Sequence, residues 1–156
     1  MDIHIRHIFE PVIKLTKDGL YTINGFHHDI NNVIEKSGSL FRLLDKKIDA
    51  SGFYKATIEI IGNNATKFTE KSFFPAHWSP EQVMQEIHYV MGNMQLVHKE
   101  LCENFIIVKD ITKHIIDAQQ SSPFLIFIGQ TKEHIPLFAV FNTKIQSFIS
   151  IYPFLK

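Results

Sequence analysis

Two groups of histidines near the start of the chain are its strongest chemical signal. His7 opens the run His-Ile-Phe-Glu-Pro-Val, and Gly25-Phe26-His27-His28-Asp29 follows further along. Histidine is the only residue whose ordinary side-chain pKa, about 6.5, allows it to act as a base or as an acid near neutral pH. Two imidazoles brought together by the stretch between them could share those roles, which suits cleavage of RNA without a metal ion.

Neighbouring histidines compete for both positions. His28 directly follows His27, and because adjacent side chains point in different directions we expect only one of them to face a cleft. The Gly-x-His pattern favours His27, and His4 competes with His7 in the same way. Histidines 7, 27 and 28 could instead hold a metal ion for hydrolytic cleavage of a phosphodiester. The remaining histidines follow no metal-ligand spacing and are interpreted as surface or structural residues: His77, His88, His98, His114 and His134.

The composition is that of a globular chain without overall charge. Its 156 residues are predicted to form one domain, 1–156, and 45% of them are hydrophobic, which is enough for a sizeable core. Sixteen Lys and Arg balance sixteen Asp and Glu, so any RNA site must be a local basic patch. Fourteen phenylalanines favour a β-rich core.

The single cysteine and the first residues limit the class of protein further. Cys102 excludes an intrachain disulfide and a multi-cysteine zinc site, and we predict a small buried side chain there. The opening residues lack the basic and apolar segments of a signal peptide. No apolar run is long enough to span a bilayer. Export as one domain of a larger secreted protein is compatible with both observations.

The elements that must position the histidines are predicted to be short. Residues 3–13 are expected to be extended, and Tyr21–Ile23 is expected to form a strand that follows a turn at residues 17–19 and leads into the His27 corner. From Asp29 to about Lys47, apolar residues recur three and four positions apart. This spacing predicts one helix broken near residues 37–39, or two short helices.

One well-marked helix and a series of strands complete the predicted order. Ser79, Pro80 and Gln82 form a capping box ahead of a helical face that runs from Val83 to Met94. Trp78, beside the box, is predicted to be a core residue. Helices first, then strands around a central helix, predict an α+β fold. The predicted strands are 53–61, 67–74, 105–108, 124–128, 135–141 and 145–152, with turns at 51–52, 62–64 and 142–144.

Over about residues 7–156, four motifs resemble the bacterial EndoU nuclease domains of the wider EndoU ribonuclease superfamily. The most specific is Ser-Phe-Phe-Pro-Ala-His-Trp-Ser at 72–79. Glu10-Pro11 stands where that family usually has a glycine, and the stretch 102–132 is difficult to align. The motifs, in order, are His7-Ile8-Phe9; Gly25-Phe26-His27; Gly52–Ala56 with Ser72–Ser79; and Ser150-Ile151-Tyr152-Pro153, in which serine replaces the usual threonine.

The resemblance implies a fold and a reaction. The fold would be ribonuclease A-like, with N-terminal helices and two antiparallel β-sheets flanking an active-site cleft. In the reaction the RNA's own 2′-hydroxyl attacks the phosphate, and the products are a 2′,3′-cyclic phosphate and a 5′-hydroxyl. The resemblance makes His27 the general base and His7 the general acid, although spacing alone does not decide which is which. No cofactor is expected, and no set of metal ligands is visible.

The same resemblance implies further site residues. Lys71 is expected to be the cation that stabilises the charge of the phosphorane-like transition state. Lys67 is the alternative, because it would share the same strand face.

Four residues are expected to contact the substrate. Tyr152 would stack on an unpaired base. Ser150 or Ser72 would read a pyrimidine edge, which suggests a preference for uridine, and His28 completes the set.

The resemblance also suggests a biological setting. Bacterial EndoU domains often close large polymorphic or contact-dependent inhibition toxins. We therefore expect a secreted toxin domain that acts in the cytoplasm of a target cell on RNA, including tRNA. A cognate immunity protein is the expected protein partner, and no membrane contact is expected of the mature domain. The alternative is a non-catalytic RNA-binding or protein-interaction module on the same scaffold.

Overall fold

The structure is a computed structural model, and it describes residues 2–3, 5–38, 41–61, 69–99, 105–107 and 123–155. Short helices and longer strands follow one another along the chain. The helices are α1 (Ile5–Phe9), α2 (Val33–Ser37), preceded by a 3-10 turn (Ile30–Asn32), and α3 (Pro80–Met91). The strands are β1 (Asp2–Ile3), β2 (Pro11–Leu15), β3 (Tyr21–Gly25), β4 (Phe41–Ile48), β5 (Tyr54–Ile60), β6 (Thr69–Phe73), β7 (Gln95–Lys99), β8 (Phe105–Ile107), β9 (Phe124–Gln130), β10 (Pro136–Asn142) and β11 (Ser147–Pro153).

Within the described residues these strands form three sheets. β2 and β3 make a two-stranded antiparallel hairpin, and β4, β5 and β6 make a three-stranded antiparallel sheet. The third sheet has six strands in the order β1-β11-β10-β9-β7-β8, and the pair β1–β11 is its parallel one. The predicted α+β class is therefore confirmed, with few helices and mostly antiparallel sheets. The ribonuclease A-like arrangement, with N-terminal helices and two antiparallel sheets that flank a cleft, stays a prediction.

The chain divides into two compact units. The N-terminal unit is Ile5–Val83 with Leu155, and it contains the hairpin and the three-stranded sheet. The C-terminal unit is Met84–Phe154 with the first residues of the chain, and it contains the six-stranded sheet. Among the described residues, no helix is both long enough and apolar enough to cross a bilayer.

Aromatic rings form the core of the N-terminal unit. Side chains of β5 alternate inward, as the two-residue period of a strand requires. Tyr54 from this strand stacks on Phe73 of β6 at 4.7 Å between ring centroids, and Phe26 meets Phe73 edge-on at 5.2 Å. All three rings are buried. This packing fixes the end of β6 against the segment that carries His27.

The helical prediction that extended to about Lys47 is confirmed in its first half and wrong in its second half, where the chain forms β4. The 3-10 turn and α2 are helical, but Phe41–Ile48 is a strand. Phe41 and Leu43 alternate towards the core until the register shifts after Leu44, near Asp45, whose φ is 54°. Such a bulge adds a residue to one strand. It leaves apolar residues three and four positions apart, which is the spacing of a helix.

Of the other predicted elements, most agree with the structure and one does not, and one strand was not predicted. Residues 3–13 are not one extended segment, since α1 occupies Ile5–Phe9, and β7 was not predicted. β3, β5 and β9 to β11 lie where strands were expected, and β6 and β8 match as far as they are described. α3 begins as predicted, with the amide of Gln82 donating to the hydroxyl of Ser79 at 3.1 Å. Trp78 is buried, as expected. Cys102, His4 and the turn at 62–64 lie outside the described residues.

Candidate active site

The last carbonyl groups of α1 hold the segment that carries the second histidine motif. The amide of Phe26 donates to the carbonyl oxygen of His7 at 2.9 Å. The amides of His27 and His28 donate to the carbonyl oxygen of Ile8, at 2.6 and 3.0 Å. Carbonyls at the end of a helix have no partner within it, so they are available to a neighbouring segment. These backbone hydrogen bonds bring the two histidine motifs side by side.

Gly25 permits this close approach. Its φ is +73°, and a Cβ atom there would lie 2.5 Å from the carbonyl oxygen of His7 and 2.9 Å from that of Glu10. Glycine alone combines that backbone conformation with the absence of a side chain. Phe26 also has a positive φ, 68°, although it is fully buried. A bulky residue in this conformation is rare and indicates a backbone constrained by its surroundings.

The end of β6 holds His27 from the other side. The amide of Phe74 donates to the carbonyl oxygen of His27 at 2.8 Å, and Nδ1 of His27 lies 2.8 Å from the carbonyl oxygen of Ser72. A carbonyl oxygen can only accept a hydrogen bond, so Nδ1 carries the proton. In the neutral ring the lone pair is then on Nε2. This is the tautomer that a base acting through Nε2 requires.

The surroundings of His27 keep its ring neutral. Burial is the main cause that lowers the pKa of His27 from 6.5 to about 3, and the nearby positive charge of Lys71 adds to the lowering. The carbonyl of Ser72 acts in the opposite direction. The side chain is only 6% exposed. A neutral imidazole can accept a proton, whereas a charged one cannot.

The rings of His7 and His27 form a pair. Their centroids are 5.6 Å apart and their planes are inclined by 36°. His7 is half-buried on α1. Because a hydrogen bond spans about 3 Å between heavy atoms, both rings could contact one phosphodiester group. This geometry allows one ring to take a proton while the other gives one.

Lys71 supplies a positive charge beside this pair. It lies on β6, opposite Ala56 of β5, and it is half-buried. Burial lowers the pKa of Lys71 to about 8, so its ammonium group stays largely charged at neutral pH. The lowering of the His27 pKa by this charge indicates that the two groups are close. Lys67, the predicted alternative, lies outside the described residues.

The ring of His28 is buried and packs against Phe9. It is 2% exposed, and its ring meets Phe9 edge-on at 5.6 Å. Burial lowers the pKa of His28, although backbone groups of Trp78 and Pro75 favour the protonated ring. Neither backbone group makes a hydrogen bond of good geometry, and within the described part of the chain neither ring nitrogen has a hydrogen-bond partner. Contact of His28 with substrate stays a prediction, on a ring whose two nitrogens are buried.

The histidines whose side chains the structure describes do not gather into a metal-binding set. In the described ranges, no group of three or more His, Cys, Asp or Glu side chains could hold a metal ion. Because His27 and His28 face different surroundings, residues 7, 27 and 28 do not form the three-histidine ligand set of the metal hypothesis. His77, His88 and His134 are exposed, in agreement with the interpretation as surface residues.

The remaining predicted contacts are split between the two units. Ser72 is buried beside His27, and its observed contribution is the backbone carbonyl. Ser150 and Tyr152 lie on one face of β11 in the C-terminal unit, opposite Val140 and Phe138. Both are half-buried, and the ring of Tyr152 packs 6.0 Å from that of Phe138. Contact of these three residues with a substrate stays a prediction.

Asp29 is a positioning residue that the sequence analysis missed. Its carboxylate is buried and accepts the amides of Ile34 and Glu35 at 2.9 and 3.0 Å. These bonds satisfy the first turn of α2 and anchor the far end of the segment that carries His27. An aspartate just before a helical pattern is the signal that could have revealed it.

Comparison with known protein families places this chain in one of them. The sequence profile described as bacterial EndoU nuclease matches residues 5–155, nearly the whole chain. Comparison with curated protein sequences gives no significant match. The profile spans both histidine motifs, Lys71 and the closing strand. The chain therefore belongs to the bacterial EndoU nuclease family.

Proposed function

We propose that this nuclease is a metal-independent endoribonuclease that cleaves RNA by transesterification. The observation that supports this most directly is the pair of imidazoles, His7 and His27, at 5.6 Å between ring centroids. The tautomer of His27 supports it as well, because Nδ1 is occupied as a donor to Ser72. In this reaction the substrate supplies the nucleophile, so the protein has to supply only a base, an acid and a positive charge.

His27 is the general base in this proposal. Its Nε2 takes the proton of the 2′-hydroxyl as the bond from that oxygen to phosphorus forms. The low pKa of His27 depends partly on the charge of Lys71. An anionic phosphate bound between them offsets that charge and raises the pKa of His27. The base therefore becomes stronger when substrate is present.

His7 and Lys71 complete the reaction. His7 donates a proton to the 5′-oxygen as the bond from phosphorus to that oxygen breaks, which yields the 5′-hydroxyl and the 2′,3′-cyclic phosphate. Lys71 stabilises the additional negative charge on the phosphate oxygens in the transition state. Its partly buried position strengthens this effect relative to a lysine in water.

The biological setting is part of the proposal. As a bacterial EndoU nuclease, the chain would act as the toxin domain of a larger secreted protein in the cytoplasm of a target cell. Unpaired bases in loops such as those of tRNA suit this chemistry, because they can be stacked and aligned for in-line attack. A cognate immunity protein would protect the producing cell. Purified tRNA should then be cleaved faster than a fully double-stranded RNA.

The test is incubation of the protein with total RNA in excess EDTA, followed by mapping of the cleaved ends. We expect 2′,3′-cyclic phosphate and 5′-hydroxyl ends from the parent protein, and far fewer of them from His27→Ala in the same time. Cleavage that EDTA abolishes, with linear phosphate ends, would favour metal-dependent hydrolysis. Binding of RNA without any cleavage by the parent would favour the non-catalytic module.

A further inference from the structure

A groove with mixed polar and apolar walls in the C-terminal unit lies apart in the chain from the histidine motifs. It has a volume of about 530 Å³ and is bordered by the end of α3, the start of β7 and the turn between β9 and β10. Tyr89, Gln95, Gln130 and His134 line it, with Ile128 as an apolar part of the wall. Its volume is in the range of small-molecule sites.

The wall of this groove is preformed. The side-chain amide of Asn93 holds the backbone of Gln130 in both directions, donating to its carbonyl oxygen at 2.9 Å and accepting from its amide at 2.8 Å. A Cβ atom on Gly129 would lie 2.6 Å from Cγ1 of Val90, so strand and helix are in close contact there. The adjoining turn holds His134 at a φ of 67°. A non-glycine residue in that conformation is uncommon and is often found at binding sites.

The groups that face the groove suit a nucleobase. Tyr89 is 47% exposed, which leaves an aromatic surface available for stacking. Gln95 and Gln130 are exposed and offer neutral amides, which can both donate to and accept from the edge of a base. Lys132 lies 5.7 Å from the ring of Tyr89, near the outer limit of a cation–π contact, so it is weakly held.

The charges at the rim favour a base over a phosphate. The charge of Lys132 is opposed by Glu133, next to it in the chain, and by Glu86, whose carboxylate lies 3.5 Å from the backbone nitrogen of Lys132. With little net positive charge, the rim would not attract a phosphate strongly. Stacking and neutral hydrogen bonds do not need such a charge.

We propose that this groove binds an unpaired nucleobase of the RNA substrate, with Tyr89 as the stacking platform and Gln95 and Gln130 at the edge of the base. The inference rests on the proposed ribonuclease function and adds a second point of contact with the RNA. It predicts that affinity depends on a residue far along the chain from the histidine motifs.

The test uses binding, so that it does not depend on cleavage. A fluorescent single-stranded 2′-O-methyl oligonucleotide lacks the attacking hydroxyl and can be titrated against the parent protein by anisotropy. Loss of one stacking contact should raise the Kd of Tyr89→Ala about 5- to 20-fold. Gln130→Ala should raise it less. Tyr21→Ala, an exposed tyrosine on the hairpin, is the matched control and should leave Kd unchanged.

Each outcome supports or overturns the inference. An equal Kd for Tyr89→Ala and the parent, or no binding by the parent, overturns it. A mononucleotide that binds as tightly as the oligonucleotide, with the same dependence on Tyr89, would assign the groove to a free nucleotide and also overturn it. Binding that depends on Tyr89 in a protein that cleaves no RNA would support the groove and reject the proposed activity. In a cleavage assay on long RNA, Tyr89→Ala should raise KM more than it lowers kcat.

Discussion

The carbonyl oxygen of Ser72 lies 2.8 Å from Nδ1 of His27. This one contact fixes both the orientation of the ring and the position of its proton, because the carbonyl can only accept. It also joins the second histidine motif to the strand that carries Lys71. The base and the cation of the proposed reaction are therefore positioned by the same stretch of backbone.

Removal of either imidazole should nearly abolish cleavage. We expect His7→Ala and His27→Ala each to lower kcat/KM for a model RNA by about 10²- to 10⁴-fold, the usual contribution of a positioned acid or base. The kcat/KM of the double variant should be only slightly below that of the less active single variant, because the two groups act together. His88→Ala, which removes an exposed histidine of α3, serves as the control. An activity of His27→Ala within a few-fold of the parent would rule out its role as base.

The alkaline side of the pH profile should report Lys71. Its pKa of about 8 means that the ammonium group is charged below that pH and neutral above it. We expect kcat/KM of the parent to fall as the pH rises from 7 to 9. In Lys71→Arg this fall should be smaller, because a guanidinium stays charged and only the general acid is left to lose its proton.

Two matched lysine variants test, at neutral pH, whether Lys71 is the cation of the reaction. Lys71→Met should lower kcat about 10²-fold. Lys47→Met removes an exposed lysine of β4, in the same sheet, and should have no effect on kcat. Equal activities of the two variants would show that Lys71 is not the cation of the reaction.

Acid should destabilise the protein through its buried histidines. The unfolded chain binds a proton at His27 below about pH 6.5, whereas the folded protein binds it only near pH 3. The stability is therefore complete above pH 6.5 and is lost as the pH falls towards 3. The lowered pKa of His28 acts in the same direction.

A variant without the titrating ring should lose less stability in acid. Between pH 6 and pH 4, the free energy of unfolding of His27→Gln should fall by roughly 2 kcal/mol less than that of the parent. Urea denaturation at the two pH values measures this difference, and His88→Gln is the exposed control. Parallel pH dependences of the parent and His27→Gln would contradict the burial of an uncharged ring.

Alanine substitutions at two glycines with similar backbone angles can separate the energetic cost of a positive φ from the cost of a steric contact. Gly19 and Gly25 have φ of +80° and +73°, but among the described atoms none lies within 4 Å of a Cβ built at Gly19. Gly19→Ala should cost roughly 1–2 kcal/mol for the left-handed conformation alone. Gly25→Ala should cost about 1–3 kcal/mol more, because its methyl group would press on the carbonyl of His7. Chemical denaturation measures both, and equal losses would contradict the close approach.

Several parts of the site could be read from local sequence. The Gly-x-His pattern favoured His27 over His28, and the Ser79 capping box located the start of α3. These signals are local because a cap or a tight turn depends on a few consecutive residues. Strands such as β5 were equally visible, since its buried residues alternate.

Other features depended on residues far apart in the chain. The bulge in β4 gave its apolar residues helical spacing, so only pairing with β5 reveals a strand. In the same way, α1 is coupled through its carbonyl groups to a segment that follows the hairpin.

The sequence by itself determined that two histidine motifs, a lysine-bearing strand and an α+β order of elements occur together in this chain. Only the tertiary structure decided that His27 rather than His28 faces His7, which nitrogen of His27 carries the proton, and how far burial lowers the pKa of Lys71. The physical reason is that ring orientation, hydrogen bonding and loss of solvent are set by groups that folding brings together. The spacing of residues along a chain contains no record of those contacts.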